Sequence, residues 1–256
     1  MRRWAAAAPV LALLVLGISA CDDDSVKPDT LPRPEDATKG EAVDVDAFLD
    51  ELRGSFDNGA TARVTFDVAG QARLRGHGVV AYGEDGMDVD LQLSDWQVKG
   101  AEVDLRTIDE STYMKVPESR GLWVDVSAGG DPGLAGSVLE DADPRNQLDT
   151  AADTITEVRY LGDQQVEGGI VRRYQVVEEA DATTAATSTG PAVTEYWFDA
   201  DGQVVRRTVD LGASGTATFT WADWGAPVDI APPPDDETVT VRELERLRKQ
   251  QDRPHR

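Results

Sequence analysis

The sequence predicts an α+β domain built on one strongly curved antiparallel β-sheet, its concave face closed by a few helices. Two observations carry this expectation. Long stretches alternate apolar and polar residues with a period of two, as half-buried strands do. Helical spacing of apolar residues, by contrast, is confined to a few short segments. With 40% hydrophobic residues a packed core is expected, and the 23 glycines with frequent Thr, Val and Asp suit strands and turns.

The elements follow in chain order. Met1-Arg2-Arg3 is a basic start, and Val10 to Ile18 is an apolar run too short to span a bilayer. Residues 1–20 read as a signal peptide. The run ends in Ile18-Ser19-Ala20-Cys21 and holds the chain's one cysteine. Small residues before an obligatory Cys are the pattern of a lipobox. The Cys21 thiolate takes a diacylglyceryl group and becomes the first residue after cleavage. With a single Cys no internal disulfide is expected. The expected location is the extracytoplasmic face of the cell membrane, with the anchor on Cys21 as the membrane partner.

Residues 21–40 combine Asp22-Asp23-Asp24 with Pro28, Pro32 and Pro34 and read as a flexible acidic tether. The main domain is expected over 41–231. Val45, Phe48, Leu49, Leu52 and Phe56 recur at i, i+3, i+4, i+7 and i+11, a helix capped by Asp44 or Asp46 and ended at Asn58-Gly59. A meander follows. Val64, Phe66 and Val68 alternate with Thr65 and Asp67, and Ala72–Tyr82 is a second strand. A hairpin at Gly83-Glu84-Asp85-Gly86 leads to Met87, Val89, Leu91 and Leu93, the cleanest alternation in the chain. Val98–Ile108, Thr112–Val116 and Leu122–Val126 continue it.

Residues 127–142 are Gly-rich and read as a loop. Asp143-Pro144 then opens a second helix carrying Leu148, Ala151, Ala152 and Ile155. Strands are expected at Val158–Leu161, Gly169–Val177, Val193–Phe198, Val204–Leu211 and Thr216–Trp221, with a hairpin turn at Asp201-Gly202. Glu179–Pro191, rich in Ala and Thr, reads as a mobile connection. Residues 232–256 open with Pro232-Pro233-Pro234. In them Thr240 and Glu243 form a capping box for a basic terminal helix with Val241, Leu244 and Leu247.

Charge narrows the function classes. Loss of residues 1–20 leaves 23 basic against 48 acidic side chains, a net charge of −25. Such a surface repels phosphate backbones, so nucleic acid is not an expected partner. The two histidines are His77, in Gly76-His77-Gly78 of a strand pattern, and His255 in the tail. A metal cluster needs more His or Cys ligands than these. No Gly-x-Ser-x-Gly elbow and no phosphate-cradling loop is present. Asp199-Ala200-Asp201-Gly202 lacks the later acids of a calcium loop. Catalytic residues, metal and cofactor are therefore not expected, and neither is an enzyme.

The aromatics suggest a wide apolar cavity. Trp96, Trp123, Trp197, Trp221 and Trp224 lie in or beside strands, with Phe66, Tyr113, Tyr196, Phe198 and Phe219. A large sheet with few helices leaves room over its concave face. The candidate lining residues are Val64, Phe66, Val89, Leu91, Leu93, Tyr196, Phe198, Phe219 and Trp221. Alternation places each set on one side but does not say which side is the cavity.

Three stretches resemble the LppX/LprG-type lipoproteins of actinobacteria. They are Asp143-Pro144-Arg145, the run Val166-Glu167-Gly168-Gly169-Ile170-Val171-Arg172-Arg173-Tyr174, and Glu195-Tyr196-Trp197-Phe198-Asp199-Ala200-Asp201-Gly202-Gln203-Val204-Val205-Arg206. The resemblance implies a LolA/LolB-like fold: an open half-barrel with two to three helices over its concave face. It also implies binding of an acylated lipid or lipoglycan in a hydrophobic cavity, and its carriage through the envelope. A membrane transporter is then a candidate partner. The alternative on the same scaffold is a sensor or protein-interaction module acting on a membrane partner.

Overall fold

The computed structural model describes residues 38–56, 60–70, 73–83, 86–95, 100–109, 111–127, 145–179 and 192–251. The signal peptide, Cys21 and most of the tether lie outside them. So do Asn58-Gly59, Glu84-Asp85, Trp96, the Gly-rich stretch from 128, Asp143-Pro144, residues 180–191 and His255.

Asp44 starts α1 (Val45–Ser55) by accepting a hydrogen bond from the Ala47 amide at 2.9 Å. Its apolar stripe of Phe48, Leu49 and Leu52, continued by Phe56, is fully buried. The meander follows as β1 (Thr61–Gly70), β2 (Leu74–Tyr82), β3 (Met87–Ser94), β4 (Glu102–Ile108), β5 (Ser111–Lys115) and β6 (Trp123–Asp125). After α2 (Arg145–Thr154) come β7 (Ile155–Val166), β8 (Gly169–Glu178), β9 (Ala192–Phe198), β10 (Val204–Asp210) and β11 (Gly215–Ala222). The chain closes with β12 (Thr238–Thr240) and α3 (Val241–Gln251).

Among the described residues all twelve strands form one sheet, in the order β12-β6-β5-β4-β3-β2-β1-β11-β10-β9-β8-β7. The two end strands do not pair with each other, so the sheet is open. It is two antiparallel meanders joined at their first and last strands, with Phe66 opposite Phe219 and Val64 opposite Trp221. Only β12 runs parallel to its neighbour, β6.

The sheet curls around α1. Phe48 and Phe56 are eight residues apart, about 12 Å along a helix. Phe48 packs on Tyr174 of β8 and Phe56 on Tyr82 of β2, with ring centroids 5.8 and 5.1 Å apart. In a flat sheet β8 and β2 would lie five strand spacings apart, about 24 Å. Curvature brings them to the two ends of one short helix.

Among the described residues the expected strands and helices are present, with three differences. Ile155 is not the last turn of the second helix: it pairs with Glu178 as the first residue of β7. Ala152 is exposed, so Leu148 alone of the described stripe is buried. Two helices, α1 and α2, contribute to the core under the sheet. The third, α3, packs instead against β12 and β6 at the sheet edge. Its capping box forms as expected, with Thr240 Oγ1 accepting from the Glu243 amide and the Glu243 carboxylate accepting from the Thr240 amide.

Candidate functional site: the inner face of the sheet

The period-two alternation puts one set of side chains on the face that α1 covers. Two adjacent register rows cross the sheet there. The first runs Tyr160, Tyr174, Tyr196, Arg207, Phe219, Phe66, Gly76, Leu93, Val103. The second runs Trp221, Val64, Gly78, Leu91, Leu105, Met114, Val124. Phe198 continues the second row across the bulge in β10, and Val89 lies one row further on, opposite Val80.

All nine candidate residues thus lie on this inner face, in one continuous core cluster. Each is no more than 6% exposed. A side chain bordering an open cavity would keep accessible surface, so the face is packed at these positions. Gly76 explains part of the fit, since a Cβ there would lie 2.2 Å from the Phe66 ring. The two glycines of Gly76-His77-Gly78 are therefore structural. They admit inner-face neighbours, and His77 points out on the opposite side, exposed.

Two indole N–H groups find partners inside. The Trp221 indole N–H donates to the Tyr82 hydroxyl at 3.0 Å, and that of Trp224 to the Val204 carbonyl at 2.9 Å. The helix is pinned to the turn between β9 and β10. The Ser55 hydroxyl donates to the Gly202 carbonyl at 2.9 Å and accepts from the Val204 amide at 3.1 Å. Glu51 pairs with Arg172 at 2.6 Å, largely shielded from solvent. Burial pushes the Glu51 carboxyl above its ordinary range, against the pull of Arg172. Upstream, Gly40 and Val43 donate to the carbonyls of Tyr160 and Val158, so the approach to α1 is fixed on the edge of β7.

One charged residue on this face was not legible in the alternation. Arg207 is 7% exposed and faces inward, with its guanidinium 5.8 Å from the Tyr196 ring centroid. Counting by twos from Val204 would point Arg206 inward. A β-bulge between Val204 and Arg206 shifts the count by one. Burial also pushes the Glu178 carboxyl upward, opposed by Arg207. Trp123 and Trp197 take the opposite side. Each lies on the outer face beneath two cations, Arg106 and Lys115 for Trp123, Arg173 and Arg206 for Trp197.

Among the described residues no group of three His, Cys, Asp or Glu side chains is placed to hold a metal ion, and no helix is long and apolar enough to cross a membrane. The inner face offers apolar contact and a few buried polar groups.

No protein-family model and no curated protein sequence matches the chain. Solved structures do. The lipoprotein LppX of Mycobacterium tuberculosis aligns over 73% of this chain and 100% of its own, with a TM-score of 0.52 at 17% identity. The fold is that of LppX. LprF from Mycobacterium bovis aligns over 77% of this chain and 99% of its own, with a TM-score of 0.51 at 16% identity. The resemblance read in the sequence is borne out at the level of this LppX-type fold: an open sheet of antiparallel meanders around one packed inner face.

Proposed function

We propose that this protein is a membrane-anchored lipoprotein that binds an acylated lipid or lipoglycan on its inner face and carries it within the cell envelope. The observation that carries this reading is the convergence of nine apolar and aromatic side chains on the inner face of an LppX-type sheet. Cys21 supplies the anchor, and the acidic tether sets its reach. Transfer of acyl CH₂ groups from water drives binding, at about 0.8 kcal/mol for each. No covalent chemistry is required, and the protein is not an enzyme in this reading.

The face is packed at the nine positions, so loading displaces a covering element. Because α1 is held by Ser55, Glu51 and the strand-like segment before it, the displacement falls on the side of α2. There Arg145 caps the β2–β3 hairpin through the carbonyls of Gly83 and Gly86, each at 2.8 Å, on the surface.

A second reading rests on α3. Its Leu247 is 39% exposed, and Arg242, Arg246, Arg248 and Lys249 line an exposed helix. That is a surface for a membrane partner, in a sensor or interaction module. The two readings part in one experiment. The full chain with Cys21→Ala is secreted from an actinobacterial host and purified without detergent, and its organic extract is analysed by mass spectrometry. A stoichiometric diacyl or triacyl lipid is the expected result. An empty protein, with a membrane-protein complex that dissolves on removal of residues 242–256, would favour the second reading instead.

A further inference from the structure

The outer face carries a built cleft that the lipid reading does not use. After β11 the chain is held at Thr61, whose carbonyl accepts from the Gly225 amide and whose hydroxyl donates to the Ala226 carbonyl. It then crosses to Arg106, which donates to the Ala231 carbonyl at 3.3 Å, and joins β6 as β12. Between this strap and the outer face of β2 to β5 lies a cleft of about 540 Å³.

Its floor is a register row. His77 of β2 faces Gln92 of β3, Gln92 faces Asp104 of β4, and Asp104 faces Lys115 of β5. Three strand spacings make this row roughly 14 Å long. Glu237 of the strap lines the other side. The sheet ladder fixes the backbone register of the four strand residues, and the Gln92 side-chain amide donates to the Asp104 carboxylate at 3.5 Å.

The chemistry of the row selects a class of ligand. Imidazole, amide, carboxylate and ammonium groups alternate donors with acceptors along the row. The neighbouring Arg106 is held by Asp90, with Nε and Nη2 each 2.8 Å from one carboxylate oxygen, and it stacks on Trp123. An anion entering the cleft meets Asp104, Glu237 and Asp90. A cation meets Lys115 and Arg106. A neutral molecule with many hydroxyl groups satisfies both signs at once, and its neighbouring hydroxyls suit the planar amide and carboxylate.

We propose that this outer cleft is a saccharide-binding site, taking a short neutral oligosaccharide laid across β2 to β5 along His77, Gln92, Asp104 and Lys115. It lies on the opposite side of the sheet from the inner apolar face, so its occupancy does not depend on lipid loading.

The test uses the full chain with Cys21→Ala and ¹⁵N-labelled NMR. The probes are neutral di- and trisaccharides of mannose, galactose, arabinose and glucose, with sodium phosphate and spermidine as charged comparators. The expected result is a saturable shift of the Gln92 side-chain amide, the Lys115 amide and the Trp123 indole with at least one saccharide. Gln92→Ala and Asp104→Asn, at solvent-facing positions, each weaken it about fivefold, as loss of one hydrogen bond does. Both variants keep the melting temperature and the lipid content of the parent. The proposal is overturned if no saccharide in the panel gives a saturable shift at this row. It is also overturned if phosphate or spermidine binds more tightly than every saccharide, or if both variants bind as the parent does.

Discussion

The two meanders present different inner faces to the same interior. That of β1 to β6 is mostly aliphatic: Val64, Leu74, Val89, Leu91, Leu93, Val103, Leu105, Met114 and Val124 are buried there. That of β7 to β11 is richer in rings and partly polar, with Tyr160, Tyr174, Tyr196, Phe198, Phe219 and Trp221 beside Val158, Val176, Val204, Thr194 and Arg207. The helix α1 directs Phe48 onto the second meander. Phe48 contacts Tyr174, Tyr196 and Phe198 within 6.0 Å, and Ser55 and Glu51 lock to the adjoining turn and strand. Edge-on ring contacts of this kind favour one geometry, whereas aliphatic side chains repack at low cost. On the lipid-binding proposal, the aromatic half holds the fold and the aliphatic half is the part expected to yield to a guest.

The sharpest way to break that division is Phe48→Ala. Loss of the ring from the aromatic half is expected to cost about 3–5 kcal/mol, read as a drop in the chemical-denaturation midpoint. A cost no greater than that of an exposed-site substitution would remove the clamp. Leu91→Trp tests the other half. The larger side chain is expected to cost about 1–3 kcal/mol and to abolish most of the lipid recovered by extraction. Phe198→Leu, matched in the aromatic half, is expected to lower stability and to reduce the lipid content less than Leu91→Trp does. Equal lipid loss in both would mean that the guest lies across the whole face. Ser55→Ala is next in size. It leaves the Val204 amide without its acceptor inside the protein, at a cost of about 1–3 kcal/mol, with faster hydrogen exchange at Val204 as the local signature.

The sequence pattern held this division only in part. Strict alternation in β3 and β1 put Val89, Leu91, Leu93, Val64 and Phe66 on one face, and a regular ladder preserved that parity across the neighbouring strands. It failed where the ladder is irregular. Arg207 turned inward because one extra residue at the bulge reverses the count, a change that composition does not signal. Ile155 fitted the helical period of Leu148 equally well, and pairing with Glu178 decided for the strand. The short polar β12 carries no periodic signal: its three residues become a strand only because β6 offers an edge. Trp123 and Trp197 grouped with the core aromatics by type. Their rings are covered on the outer face by arginine and lysine side chains, whose aliphatic stems and charges stack on indole without drawing it into the core.

The smallest effect concerns the ion pair that joins α1 to the aromatic half. Glu51 is shielded beside Arg172, and burial outweighs the guanidinium, so its folded-state pKa lies above the ordinary 4.5. A carboxyl raised on folding holds its proton more tightly in the folded chain than in the unfolded one. Its contribution to stability is therefore greatest below the unfolded value and declines as pH rises through the folded one. The substitution Glu51→Gln keeps an oxygen for Arg172 and removes the titration. The stability difference between the parent and this variant is expected to fall in the parent's disfavour as pH climbs from about 4 to 7, where carboxyls ionise. Denaturation at several pH values reads it directly, and Glu178, raised in both proteins, cancels from the difference. A difference that grows in the parent's favour with pH would mean that Arg172 outweighs burial. Ionisation of the pair would then strengthen the hold that the Arg172–Glu51 hydrogen bond already gives α1.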